Sequence, residues 1–465
     1  MVNQTKVLTD SVIQEFRTKL RGQVFARGDL AYDSARKVYN GMIDRCPALI
    51  ARCVDAADVA AAVNLGRDYG LALAVRGGGH SGPGFGVCDD GLVIDLSPMK
   101  GIHVDPARGT VRVQGGCVWG DVDHATHPFG MAVPSGFVST TGVGGLTLGG
   151  GIGYLARKYG LTIDNLLSVD MTLADGRYIT ASAEENEDLF WAVRGGGGNF
   201  GIVTSFQFKL SPVSMVYGGP IFWPMSSAAK VLRAWRDLIL KAPEDLNGWF
   251  GFVTVPPVPM FPTEHHLKKM CAVTWCYTGD MQKAEQVFTP IRQIATPAMD
   301  FAGPIPWPAL QSLFDALYPP GLQWYWTADF FEELSDKAVD LHVKYGAQLP
   351  TPHSTMHLYP INGAAHRVGR TDTPWSYRNA NFSEVIVSVD PDPANNERMI
   401  QWAKDYWTAL HPFSTGGAYV NMIMDEGQDR VVAAYRENYT RLAQIKAKYD
   451  PRNLFHLNQN IKPSR

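Results

Sequence analysis

The chain lacks any long apolar run, any excess of one charge and any patterned set of cysteines, and each absence closes off a class of protein. Its 42 Lys and Arg stand against 45 Asp and Glu for a net charge of −3, so nothing offers the basic surface that nucleic acid needs. No uninterrupted apolar stretch has the length that crosses a bilayer, and the N-terminal MVNQTKVLTDSVIQEF has no signal-peptide core. Together these gaps predict a cytoplasmic chain with neither nucleic acid nor membrane as a partner. Cys46, Cys53, Cys88, Cys117, Cys271 and Cys276 follow neither metal-ligand nor disulfide-framework spacing, which points to buried reduced thiols and no metal site. Cys271 and Cys276, an odd number of positions apart in a strand-like run, are expected on opposite faces. No internal repeat and no low-complexity tract is visible.

Glycine, by contrast, is plentiful, and it is clustered. The segment Val75-Arg76-Gly77-Gly78-Gly79-His80-Ser81-Gly82 puts one nucleophilic imidazole at the end of a run without side chains. Such backbone approaches a ligand closely, and successive N–H groups in it suit an anion. A helical pattern through Val59, Val63 and Tyr69 followed by an apolar strand at 71–75 places this loop at a strand end, where α/β proteins hold ligands. Two further clusters, Gly149-Gly150-Gly151-Ile152-Gly153 and Gly195 to Gly201, superficially match a Rossmann fingerprint. Neither sits in a clean βαβ unit with a terminal acidic residue, which argues against that reading. The stretch Gly144 to Gly151 has too many glycines for a helix entry and is expected to run extended along a ligand.

The length suggests more than one core. Strand-like runs at 92–96, 102–104 and 111–113 lie in the first part, the last two as a hairpin, with a second hairpin over 168–182 turning at Asp175-Gly176. After Leu210 proline becomes frequent, and ten of the twelve tryptophans fall between 211 and 410. There, strand-like runs (249–255, 270–277, 324–330, 354–361, 383–389) alternate with amphipathic helical patterns (226–241, 281–294, 334–346, 394–410). That order suits a mixed sheet with helices on one face. The last fifty residues return to the first style, with a single helix expected over about 427–448 and ended near Asp450-Pro451.

The order of these motifs, from RGGGHS through Pro134-Ser135-Gly136, Asp164-Asn165, Trp191 to Val203, Tyr419-Val420-Asn421 and Tyr449-Asp450-Pro451 to Asn453-Leu454-Phe455, resembles the vanillyl-alcohol-oxidase-type (PCMH-type) FAD-binding oxidoreductases. It is most similar to their berberine-bridge-enzyme-like branch. The resemblance implies an α+β fold: a two-lobed FAD-binding domain over 1–211 that is completed by 415–465, and an α+β substrate domain of sheet and helices over 212–414. It implies FAD bound covalently through His80, within a loop of Arg76, Gly77, Gly78, Gly79, Ser81 and Gly82. Further cofactor contacts are implied at Val138, Ser139, Thr140 and Thr141; at Gly144, Gly145, Gly149 and Gly150; at Asn199, Gly201, Ile202 and Val203; and at Tyr419, Asn421 and Asn458.

Two departures from the family pattern shape the expected chemistry. Where many members carry a second attachment cysteine this chain has Val138, so a single histidyl link is expected. Where the family places its catalytic tyrosine, in a YxNY pattern, the chain reads Tyr419-Val420-Asn421-Met422, and Met422 cannot take a proton. His357 and Tyr359, alternating to one face of a strand, are the first replacement candidates, with Tyr419 in a supporting role. Trp324, Tyr325 and Trp326 suggest an aromatic wall for a ring-bearing substrate, and His103, His124 and His127 have no metal-like partners. Thr141, smaller than a residue that would crowd the flavin, favours an oxidase that takes hydride from a small alcohol, amine or activated carbon and passes electrons to O2. The alternatives are a flavin-dependent oxygenase or oxidative cyclase of secondary metabolism, and a turnover-deficient flavin-binding protein.

Overall fold

A computed structural model describes residues 7–465, so the first six residues of the N-terminal stretch considered above lie outside the described part. The first sheet has four strands in the order Gln23–Ala26, Leu49–Arg52, Leu92–Asp95, Leu73–Arg76, the last three parallel. Leu49, Ile50, Leu92 and Val93 are buried, as parallel strands covered on both faces require. Helix Ala56–Tyr69 connects two of these strands. It starts at Asp55, whose side chain accepts from the Asp58 N–H, and stops at Gly70 in a left-handed conformation (φ 65°). Strand Leu73–Arg76 then delivers the RGGGHS loop to the carboxyl edge of the sheet.

A second, antiparallel sheet of five strands runs in the order Ile102–Asp105, Thr110–Gln114, Ile202–Lys209, Leu166–Thr172, Tyr178–Ser182 and contains both expected hairpins. Beside it, the glycine run departs from the extended path expected of it. Val143–Gly149 is a helix, and Gly150 (φ 135°) and Gly151 (φ 84°) end it. Each interior glycine costs about 1 kcal/mol relative to alanine, so tertiary contacts must supply the difference. Asn421 does so: its Nδ2 donates to the carbonyls of Gly145 and Leu146, and a Cβ on Gly149 would lie 2.3 Å from its Oδ1. The expected single C-terminal helix is also two, Gln428–Tyr435 and Asn438–Tyr449, broken at Arg436 with φ 46°. No glycine or proline marks the break. Asn438 causes it from a distance, by bonding the carbonyls of Arg370, Thr373 and Pro374 and the Ser376 hydroxyl.

The third sheet has eight strands, with Met299–Asp300, Met215–Pro224, Lys269–Tyr277, Leu246–Thr254, Thr355–Pro360, Phe382–Asp390 and Gln323–Phe331 in order and Gly303–Pro306 beside Met215–Pro224. Every paired strand is antiparallel, where a mixed sheet was expected. The reason is topological. Helix Ala228–Ile239 joins two strands that do run the same way, but Lys269–Tyr277 inserts between them; Asp336–Gly346 and Phe382–Asp390 repeat that arrangement. The sheet is therefore two β-α-β-β-α units meeting back to back at Leu246–Thr254 and Thr355–Pro360, an internal repeat that left no trace in the sequence pattern.

All four long helices of this region pack on one sheet face, in a core with Trp235, Phe288, Val339 and Tyr406. The opposite face forms one continuous core with the N-terminal part, including Tyr39, Phe137, Tyr154, Trp324, Trp326, Tyr359 and Tyr419. Cys271 lies in the first core and Cys276 in the second, as their spacing predicted. Tyr325 turns to the helix side, so the expected aromatic wall consists of Trp324 and Trp326 without it. Among the described residues no helix is long and apolar enough to cross a membrane, and no group of His, Cys, Asp or Glu could hold a metal ion.

Candidate functional site

Two glycine loops make the floor. A Cβ on Gly78 would sit 2.5 Å from the Gly142 nitrogen, and one on Gly142 would sit 2.4 Å from the Gly78 nitrogen, so only glycine lets them touch. Gly77, Gly79 and Ser81 remain partly accessible, as do Val138, Ser139, Thr141 and Gly144, while Thr140 and Gly145 are exposed. Arg76 is not part of that strip. Its guanidinium donates to Asp95 Oδ2 (2.7 Å) and to the Lys37 carbonyl (3.1 Å), so it anchors the loop from inside instead of facing a ligand.

His80 lies flat against Tyr39, ring centroids 3.9 Å apart and planes 18° from parallel. Burial pushes its imidazole down to about 4, and a hydrogen bond to the Thr140 backbone opposes that shift without cancelling it. At neutral pH the ring is uncharged and keeps a nucleophilic lone pair. Asn40 ties this loop to the eight-stranded sheet: its Nδ2 donates to the carbonyls of Gly82 (2.8 Å) and Trp324 (3.0 Å), and its Oδ1 accepts from the Trp324 N–H. Gly82 is in turn pressed against the Trp326 indole, 2.5 Å from where a Cβ would be.

The second loop meets the other candidates. Phe137 stacks on Tyr359 (4.2 Å, 15°), and Tyr359 shares a 2.6 Å hydrogen bond with His357 Nδ1. Trp249 covers the His357 ring at 4.3 Å. Burial pushes His357 down to about 3 and Tyr359 well up, so the pair is neutral. His357 nevertheless stays partly accessible while its strand neighbours Met356 and Leu358 are closed off. Ser139 donates through its hydroxyl to Asp315, and its N–H to the Gln311 carbonyl (3.1 Å).

Several residues implied by the family pattern spend their side chains on the protein. Asn199 is fully buried, donates to the carbonyls of Gly196 and Gln459 and accepts from the Ile461 N–H, which fastens the C-terminal tail. Gly201 packs against Met171, and Ile202 and Val203 enter two different cores. Asn421 holds the glycine helix, and Gly150 lies under the Trp375 ring. The Tyr419 hydroxyl accepts from the Gly151 N–H and from Asn421 Nδ2, both at 2.9 Å, and burial pushes it up to about 12. No cation lies among the causes of its shift, so it is a poor proton acceptor. Met422 packs into the aromatic core. His103 and His124 are exposed and His127 is half-buried. Nothing in the sequence marked Tyr39, Asn40, Phe137 or Asp315, since each gains its role from a partner distant in the chain.

An elongated cofactor with a diphosphate fits this surface. Gly145 has no atom within 4 Å of where a Cβ would point, so its backbone is open to a ligand. In the tail, Asn458 donates to the Phe455 carbonyl but leaves its Oδ1 buried without a protein partner, as does Asn460. Buried acceptors of that kind call for a donor from elsewhere.

Family models agree with this reading: one for an FAD binding domain matches residues 47–182, and one for berberine and berberine-like proteins matches residues 418–462. An FAD-linked oxidoreductase of Dictyostelium discoideum is 32% identical over 100% of this chain and 99% of its own. The chain belongs to the berberine-bridge-enzyme-like FAD-linked oxidoreductases. A chitooligosaccharide oxidase of Gibberella zeae is 27% identical over 94% of this chain and 92% of its own. Among solved structures, 6-hydroxy-D-nicotine oxidase of Arthrobacter nicotinovorans superposes with a TM-score of 0.85 at 27% identity, covering 96% of this chain and 98% of that one. FAD is thus the cofactor of this oxidoreductase, and the two-domain α+β fold is that of its relatives.

Proposed function

We propose that this oxidoreductase is an oxidase with FAD held by one covalent bond from His80, acting on a small ring-bearing alcohol, amine or activated carbon. The observation that carries the reading is a neutral His357–Tyr359 pair, with His357 partly accessible, on the helix-free face whose core also holds Tyr39, the ring stacked on a neutral His80. FAD, when bound, accepts a hydride and returns two electrons to O2, giving hydrogen peroxide. For the attachment, His80 would supply the ring nitrogen and FAD the 8-methyl carbon; that nitrogen and that carbon would each give up a proton, and the two electrons released would pass to O2. Val138 supplies no thiol, and Cys117 is fully buried, so a second bond has no donor nearby.

At the substrate, His357 takes the proton as hydride departs, with Tyr359 holding its Nδ1. Burial opposes the imidazolium that this transfer forms, so His357 accepts the proton only as the departing hydride makes the substrate group strongly acidic. Trp324 and Trp326, with Phe137, favour a flat ring over a long saccharide. The names of the relatives, one an oxidase of hydroxynicotine and the other of chitooligosaccharides, support a small-molecule substrate. Thr141, small and partly accessible, leaves room for O2. We propose FAD contacts at Gly77–Ser81, 138–141, Gly144, Gly145 and Asn458, and through backbone atoms at Arg76, Gly82, Gly149, Gly150, Asn199, Gly201, Ile202, Val203, Tyr419 and Asn421. We assign 1–211 and 415–465 to the FAD-binding domain and 212–414 to the substrate domain. A reducing, cytoplasmic location accords with all six cysteines being unpaired among the described residues.

Acid precipitation and peptide mapping test the link: yellow colour should stay with the protein, on the His80 peptide alone, and His80→Ala should release it. Anaerobic reduction by a ring-bearing alcohol or amine, followed by O2, should return one peroxide per flavin. Reduced flavin that persists in air would make the protein a dehydrogenase.

A further inference from the structure

We propose that Tyr39 is the positioning residue that sets the plane of the His80 imidazole for attachment to the flavin, an inference that rests on the histidyl link proposed above. A ring nitrogen attacks through a lone pair lying in the ring plane, so turning the ring by a quarter removes that lone pair from line. The loop itself cannot prevent such a turn. Gly77, Gly78, Gly79 and Gly82 offer no side-chain wall, and Gly79 takes a φ of 72° that brings no packing with it. The Thr140 backbone holds one edge of the ring through a hydrogen bond, and the wall against its face is Tyr39, in contact at 3.9 Å.

Tyr39 is itself fixed from three sides. Its N–H donates to the Gly79 carbonyl (3.1 Å), its carbonyl accepts from the Gly321 N–H (2.9 Å), and its hydroxyl donates to the Tyr318 carbonyl (2.6 Å). Trp324 backs the ring, 5.3 Å away. The plane of His80 is therefore referred to the 318–324 segment of the substrate domain as well as to its own loop, and attachment requires that segment to be docked. In the bond-forming step the protons and electrons go as stated above; Tyr39 takes none of them. It acts through His80.

Purified holoproteins of the parent, Tyr39→Phe, Tyr39→Leu and Tyr39→Met are precipitated with acid, and flavin is measured in pellet and supernatant beside total flavin per chain. Parent and Tyr39→Phe should keep their flavin in the pellet. Tyr39→Leu and Tyr39→Met should release at least about tenfold more, at similar total loading, because they lose the flat ring. Tyr39→Phe loses the Tyr318 bond just as they do, so a merely structural role would make it behave like them. Acid-stable flavin in the aliphatic variants, or release from Tyr39→Phe, overturns the inference while leaving the histidyl link standing. If neither aliphatic variant folds, the flat-ring variants Tyr39→Phe and Tyr39→His decide: retention in both supports it and release from either overturns it. Release from the parent overturns the link and the inference together.

Discussion

A histidine–tyrosine pair lies at each face of the eight-stranded sheet, one on the helices Asp336–Gly346 and Asn396–Leu410 and the other on strand Thr355–Pro360, and the two pairs have much in common. On the helix-covered face His342 Nδ1 lies 2.8 Å from the Tyr406 hydroxyl; on the opposite face His357 Nδ1 lies 2.6 Å from that of Tyr359. Burial pushes both imidazoles down to about 3. They differ in their surroundings. His342 is fully enclosed, 3.6 Å from the carboxyl of Glu384, which is itself fully buried. His357 keeps accessible surface and is walled by Phe137 from the FAD-binding side through Tyr359. A hydrogen bond and a shifted pKa are thus shared by a structural pair and a candidate catalytic one. Access and neighbours separate them.

The sharpest way to break this comparison is by rate. His357→Ala and Tyr359→Phe should slow flavin reduction by about 10²–10⁴-fold, the usual weight of general acid–base catalysis, without changing FAD content. Stopped-flow reduction is the measurement, and Tyr406→Phe, on the other face, should reduce at parental speed. Equal losses on both faces would remove the distinction drawn here.

Stability should show the reverse. Tyr406→Ala empties a fully buried aromatic site and should cost about 3–5 kcal/mol in denaturant unfolding. The partly accessible His357→Ala should cost less than half of that.

The pH dependence of stability separates the groups on the sealed face. Desolvation first, then the nearby Asp329, holds the Glu384 carboxyl well above its ordinary 4.5, so its contribution is complete below that value and declines as pH rises through the raised one. His342 has the opposite sign: depressed from 6.5 to about 3, it contributes fully above 6.5 and loses that as pH falls. The melting temperature should therefore peak between these limits. Glu384→Gln should remove the alkaline decline and keep the acidic one, whereas an unchanged alkaline limb would place its cause elsewhere.

The smallest effect expected is at Tyr325, between Trp324 and Trp326 on one strand but on the helix side. Tyr325→Phe should change stability by no more than about 0.5 kcal/mol and leave the Michaelis constant unaltered. Trp326→Phe, beside Gly82, should raise that constant for a ring-bearing substrate.

Much of the site was legible in the chain because its signals are local. A glycine run ending in histidine and a two-residue period that put His357 and Tyr359 together and Cys271 and Cys276 apart each rest on residues a few positions apart, and the family resemblance added the missing thiol at 138 and the missing base at 422. Five strands and the four long helices of 212–414 were visible for the same reason, since their periods are short, whereas Met215–Pro224 and the short strands beside it were not. What failed were inferences needing a distant partner. Glycine's low helix propensity suggested an extended 144–151, but Asn421, far along the chain, makes the helix. The helix break at Arg436 follows from the four bonds of Asn438, and the family-implied Arg76 and Asn199 turned inward to Asp95 and the C-terminal tail.

By itself, then, the sequence determined the chemistry on offer: a neutral nucleophile in a flexible-backbone loop, an aromatic-rich second domain, and no tyrosine or cysteine at the family's usual positions. The tertiary structure decided how that chemistry is aimed. Tyr39 and Tyr318 are 279 positions apart, yet their hydrogen bond helps fix the ring that faces His80. The antiparallel repeat, the sealing of one histidine–tyrosine pair and the opening of the other likewise depend on which elements pack together. Periodicity and turn chemistry act over a few residues, whereas the orientation of a buried ring is set by whatever the folded chain brings against it.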